Sequence, residues 1–168
     1  LDWDIAFQRK HIKTNSGLSG IGSGGAYVDS SMTWLDEWDN INEVPTEIGW
    51  VEDSVLNDFY DPAEHIFSQG IKNPALNAWG WFDEDYHFNV TNYILFAKCA
   101  NGTDVIKFWP YNYYYDDISG YLAIKYETGY IVDSNNCDGI LGDLNSDGLI
   151  NVVDIVSMIL QGPNNNTL

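Results

Sequence analysis

The residues best spaced for chemistry lie near the C-terminus, in Gly142-Asp-Leu-Asn-Ser-Asp-Gly-Leu-Ile-Asn-Val-Val-Asp154. Asp143, Asn145 and Asp147 fall at positions 1, 3 and 5 of an EF-hand-type loop, where alternating oxygen side chains converge on a hard cation. Gly148 stands at position 6, where the chain must turn sharply. Leu149 offers its backbone carbonyl, Asn151 takes the often water-mediated ninth position, and Asp154 closes the loop. Ile150 is the apolar anchor, and from Val152 onward Val153, Val156, Ile159 and Leu160 follow at helical spacing. The spacing predicts a calcium site leading into a short amphipathic helix. The bland alternative is an Asp/Asn/Gly turn that holds no metal.

Other constellations carry less. Asp83-Glu84-Asp85 with His87 nearby suggests acid–base work, but adjacent carboxylates lack the separation across a substrate that such chemistry needs; a hydrated loop or second cation site is the simpler reading. No nucleophile elbow, HExxH helix, P-loop or dinucleotide fingerprint is present, so the chain is not expected to be an enzyme. Trp34, Trp38, Trp50, Trp79 and Trp81, with Tyr111, Tyr113, Tyr114 and Tyr115, form either a glycan-binding face or ordinary core rings of a β domain. Cys99 and Cys137 suit one disulfide in a secreted chain, with a free pair as the alternative. Asn89, Asn101 and Asn165 each head an N-x-Thr glycan acceptor pattern.

The elements that must hold these residues are mostly strands. Trp3, Ile5 and Phe7 alternate with polar or small residues, the period of a half-buried strand. Residues 15–25 are a Gly/Ser-rich loop; Ala26–Val28 and Thr33–Leu35 are short extended segments. The clearest hairpin joins Tyr93–Cys99 to Val105–Trp109 through Asn101-Gly102, a dipeptide that readily takes positive φ. Gly120–Glu127 and Tyr130–Val132 add further strands. The reading is a mainly β, antiparallel domain over residues 1–133, a polar linker at 134–140, the calcium loop and helix at 141–161 and a polar tail at 162–168.

Composition limits the partners. Across 168 residues, 25 acids against seven bases give a formal charge of −18, which repels nucleic acid and anionic lipid. Hydrophobic residues at 45% and aromatics at 15% exclude a disordered acidic tail. No apolar run approaches the roughly 20 residues of a membrane helix, and the sequence opens without a basic-then-apolar leader, so a mature or trimmed soluble protein is expected. Eleven acids and no base lie between Lys13 and Lys72, either a solvated face or a surface for cations or a basic partner.

Two family resemblances refine this. Leu1-Asp-Trp-Asp-Ile-Ala-Phe-Gln-Arg-Lys-His-Ile-Lys-Thr-Asn-Ser-Gly17, then Gly24-Gly25-Ala26-Tyr27-Val28, Val44-Pro45-Thr46 and the stretch Tyr93–Glu127 resemble the HmuY-like haem-carrier family over residues 1–132. That resemblance implies an almost all-β, secreted or surface-anchored protein that carries haem between axial His or Met side chains in the middle segment. His65 and His87 fall within that segment; His11, Met32 and Met158 are the other residues of those types. Structural histidine is the alternative role for each. The loop at 143–154, with Asp in place of Glu at its end and no entering helix, resembles one calcium repeat of a type I dockerin, in which two such repeats pack together.

Family members usually carry strands before the Trp-Asp block, and Leu1 already lies inside it. Either the chain is processed or partial, or the sheet lacks a strand that something else must supply; a strand donated by a neighbour would propagate head to tail into a filament. The expected function is therefore a secreted, non-enzymatic, calcium-binding surface protein that acts by binding or assembly. Its partners would be copies of itself or another surface protein. A haem-binding carrier is the alternative, and a carbohydrate-binding module the second alternative.

Overall fold

The computed structural model describes residues 2–46, 48–61 and 64–132. The linker, calcium loop, helix and tail at 134–168, with Cys137, Met158 and Asn165, lie outside the described residues. Along the chain run β1 (Ile5–Gln8), β2 (His11–Thr14), β3 (Gly25–Thr33), helix α1 (Trp34–Glu37), β4 (Ser54–Asp61), β5 (Ile66–Lys72), a 3₁₀ turn (Leu76–Trp79), β6 (Gly80–Phe82), β7 (Phe88–Val90), β8 (Tyr93–Lys98), β9 (Asp104–Tyr115) and β10 (Ile118–Ile131). The expectation of a mainly β, antiparallel fold holds.

The centre is a four-stranded antiparallel sheet in the order β10-β9-β8-β3. The Asn101-Gly102 hairpin forms as its dipeptide predicts, pairing Leu95 with Phe108 and Lys98 with Val105, with Gly102 at φ 80°. In β8 a continuous apolar run is buried on both faces. Leu95 and Phe108 face one core cluster with Ile12, Leu76, Trp79, Phe88 and Tyr113. Ile94, Phe96 and Val105 face another with Trp34 and Trp38. Period-two alternation thus divides one sheet between two cores.

Two local expectations change. Thr33 ends β3, but Trp34 and Leu35 begin α1 instead of extending the strand: the Trp34 indole is fully buried and its Nε1 donates to the Phe108 carbonyl (2.9 Å). The segments at Gly120–Glu127 and Tyr130–Val132 belong to a single 14-residue strand that ends at Ile131, with register shifts beside Gly120 and Gly129. Both glycines have positive φ, so they bulge the strand without ending it.

Three two-stranded antiparallel ribbons, β1–β2, β4–β5 and β6–β7, accompany the sheet. A buried polar chain fixes their placement. Asp53 accepts from the Thr14 amide (3.1 Å) and hydroxyl (2.7 Å), from Ser19 Oγ (2.6 Å) and from Asn73 Nδ2 (3.0 Å). Asn73 Oδ1 in turn accepts from the Ala75 and Leu76 amides and starts the 3₁₀ turn. At the end of that turn Trp79 donates through Nε1 to the Lys10 carbonyl (2.8 Å), holding the β1–β2 turn in place.

Candidate functional site

The described unit contains a cleft of about 600 Å³, within the range typical of small-molecule sites. The β1–β2 turn supplies Arg9, Lys10 and His11; β4 and β5 supply Asp58, Tyr60 and Phe67. Phe82, Asp83 and Tyr86 come from β6 and its loop, and Tyr113 and Ser119 from the β9–β10 hairpin. Five aromatic rings therefore line a space that also holds the charged groups Arg9, Lys10, Asp58 and Asp83. Phe82 meets Tyr113 edge-on at 5.8 Å between centroids, and Tyr60 lies 6.3 Å from Tyr86 and 5.4 Å from Phe67.

Beneath the floor Lys72 is fully buried. Its ammonium pairs with Asp58 and donates to Asn77 Oδ1 (2.7 Å) and His11 Nδ1 (3.2 Å). Lys10 reaches the other Asp58 oxygen at 3.3 Å. Burial lowers the Lys72 pKa, opposed by its bond to Asp58. For Asp58 burial acts upward, but the Lys72 hydrogen bond and the charges of Lys10 and Lys72 outweigh it, and its pKa is lowered. His11 is stacked on Phe59 at 3.8 Å between centroids and held down to about 4, by burial first and then by Lys72 and Lys10. Its Nδ1 is thus a neutral acceptor for Lys72, which puts the imidazole proton on Nε2. Phe59 fits there because residue 70 is glycine: a Cβ on Gly70 would stand 2.2 Å from the ring.

Neither middle-segment histidine lines this cleft, but each contacts a residue that does. His65, in the β4–β5 turn at φ 53°, shares a 2.8 Å hydrogen bond between Nδ1 and the Tyr60 hydroxyl. His87 is exposed, with Nδ1 3.8 Å from the Asp83 carboxylate. The Asp83–Asp85 segment is a structural cap: Asp83 Oδ1 accepts from the Asp85 and His87 amides, and Oδ2 from Asn89. The Asn89 hydrogen bond, followed by the His87 amide, lowers the Asp83 pKa. Met32 lies on β3 and does not line the cleft.

The remaining sequence-derived residues separate. Trp34, Trp38, Trp79 and Tyr113 are buried core, whereas Trp81, Tyr111 and Tyr115 are exposed. Trp109 and Tyr111 line a second, shallower cleft with Leu35, Val90 and Lys125. The side-chain nitrogens of Asn89 and Asn101 are engaged by Asp83 and Asp104. Burial, reinforced by Asp4 and Asp104, pushes the Cys99 thiol up to about 11. Among the described residues no cluster of three or more His, Cys, Asp or Glu side chains is placed to hold a bare metal ion. No helix among them is long and apolar enough to cross a membrane. Sequence reasoning missed Arg9, Lys10, Asp58, Tyr60, Phe67, Phe82 and Tyr86, which lie far apart in the chain and meet only through the fold.

Residues 1–126 match the family described as HmuY protein. No curated protein matches the chain. Among solved structures it is similar to a Bacteroides vulgatus protein assigned as HmuY-like and heme-binding, at 22% identity and TM-score 0.56, covering 74% of this chain and 69% of that one. It is also similar to the apo HmuY analog of Tannerella forsythia, at 18% identity and TM-score 0.56, over 76% of this chain and 66% of that one. A third is a Bacteroides fragilis protein assigned as a lipoprotein, at 19% identity and TM-score 0.55, over 74% and 68%. These matches correct the main functional expectation, a calcium-binding filament subunit assembled by strand complementation. The family match and the shared fold favour the haem-binding alternative instead.

Proposed function

Because the chain belongs to the HmuY family, we propose that it is a non-enzymatic haem-binding protein of the cell surface or extracellular space, with the aromatic cleft as its ligand site. The observation that carries this reading is the convergence of Tyr60, Phe67, Phe82, Tyr86 and Tyr113 around about 600 Å³. A flat, largely apolar macrocycle gains from ring surface that water solvates poorly, and the cleft provides it on several sides. The lipoprotein among the structural neighbours supports the surface setting.

The residues present fit the group. Of the two middle-segment histidines, His65 would be the better haem ligand: with Nδ1 donating its proton to the Tyr60 oxygen, Nε2 would be free to coordinate iron. The phenol would then orient the ring, as partners of metal-bound histidines commonly do. His87 offers a second imidazole beside Asp83. Haem titration of the full chain tests the reading. A saturable, shifted Soret band is expected, weakened in His65→Ala; a wild-type spectrum identical to free haem overturns it. The 143–154 loop is proposed as a separate calcium site on its ligand spacing alone. Calorimetric titration of the wild type against Asp143→Ala tests that, and the absence of calcium-dependent heat in the wild type removes it.

A further inference from the structure

We propose that Arg9 reads a carboxylate of the cleft's ligand, so that the site selects a porphyrin by its anionic edge as well as by its metal; this rests on the haem-binding reading above. The chain has only seven basic residues and a charge of −18, yet Arg9, Lys10 and Lys72 gather at this one cleft. Lys10 and Lys72 are both answered by Asp58. Arg9 is not. It donates through Nε to the Tyr113 hydroxyl (3.4 Å) and through Nη2 to Ser119 Oγ (3.3 Å), both neutral. Among the described residues no carboxylate lies within ion-pair distance of it.

The guanidinium is positioned as well as unanswered. Two of its five N–H groups are engaged, and three remain along the Nη1/Nη2 edge, the fork that binds a carboxylate bidentately. Its seat is the bare backbone of Gly120, where a Cβ would stand 3.1 Å from Arg9 Cζ. Arg9 also occupies a two-residue turn at φ 54°, a conformation that suits glycine or asparagine far better than arginine. A strained backbone that delivers a cation into an aromatic cleft, in a chain poor in cations, is accounted for by an anionic ligand group. Porphyrin propionates are such groups, attached to a ring system of the kind the cleft walls suit.

The test compares three probes on the full chain: haem, metal-free protoporphyrin IX and its dimethyl ester, followed by Soret absorbance and by quenching of protein fluorescence. The wild type should bind the dicarboxylate roughly 10–100-fold more tightly than the ester, the span of one charge-assisted hydrogen-bonded contact. Arg9→Gln should bring the dicarboxylate to the ester's level and leave the ester unchanged, while Arg9→Lys restores part of the difference. Arg9→Gly suits the turn's φ, keeps the hairpin, and should behave as Arg9→Gln does. Equal wild-type affinity for ester and dicarboxylate overturns the role of Arg9 while haem binding stands. A uniform loss of all three probes in both Arg9→Gln and Arg9→Gly overturns it too. A wild type silent toward haem removes the reading beneath it.

Discussion

Acidification should weaken the protein through His11. The folded pKa is about 4 and the ordinary value 6.5. Between these values the unfolded chain binds a proton at this imidazole and the folded protein does not, so stability falls as pH drops through 6.5 and the loss levels off below 4. At pH 4.5 the two values correspond to about 2.5 kcal/mol, at 1.36 kcal/mol per pKa unit. Asp58 faces the same ring, but its pKa is held below 3.8, so it gives up its contribution only in stronger acid. Lys72 and Lys10 are the other charged groups that face the ring.

The comparison variant is His11→Asn, whose side-chain oxygen can still accept from Lys72 but does not titrate. It loses the stack on Phe59 at every pH, a constant offset. Urea unfolding at pH 7.0, 6.0, 5.0 and 4.5 should show the wild-type midpoint falling more steeply than the variant's, by the equivalent of about 2.5 kcal/mol over the series. Parallel curves would refute both the neutral imidazole and the donor role of Lys72 toward it.

Three further outcomes follow from the packing. Asp53→Ala strands buried donors from Thr14 and Asn73 and should cost about 3 kcal/mol in urea unfolding. A cost within 0.5 kcal/mol, roughly that of an ordinary surface change, would show that water replaces the carboxylate. Gly120→Ala puts a methyl against Arg9 at a residue with φ 97°, so it should destabilise by about 1 kcal/mol and also reduce dicarboxylate binding; unchanged porphyrin affinity would mean that Arg9 is not held there. In the reduced protein Cys99 should alkylate at pH 8 about 100-fold more slowly than an ordinary thiol, since a pKa near 11 leaves little thiolate. Rapid iodoacetamide labelling in the native state contradicts that burial.

Much of the central sheet is legible in the sequence because its signals are local. Asn101-Gly102 fixes one turn, and the apolar run from Ile94 to Ala97 marks the strand buried on both faces. β10 reads as two pieces because Gly120 and Gly129 resemble terminators, whereas in the sheet they are bulges inside one strand. β4 to β7 give no such signal. In Ile66–Lys72 the first four residues are exposed, so no period-two contrast of burial develops, and Gly80–Phe82 is too short to show one. The cleft is less legible still. His65 and His87 are recognisable as residue types, but Tyr60, Phe82, Tyr113 and Arg9 become neighbours only through tertiary contacts. A basic island at Arg9-Lys10-Lys13 is visible in the sequence, and its destination is not.

Most of the cleft wall comes from ribbons of two strands each, and the four-stranded sheet adds Tyr113 and Ser119. Isolated ribbons of that kind are only marginally stable, whereas the sheet behind them is closed by two aromatic clusters. Most of the wall residues thus lie on the less self-sufficient elements, with Tyr113 shared between the cleft and the core. On the haem-binding reading, a ligand could enter and leave by local rearrangement of β4–β5 and β6–β7, without crossing the global unfolding barrier. Wall residues are also free to change over evolutionary time at little expense to the scaffold, so one framework can serve ligands with different edges and different axial chemistry.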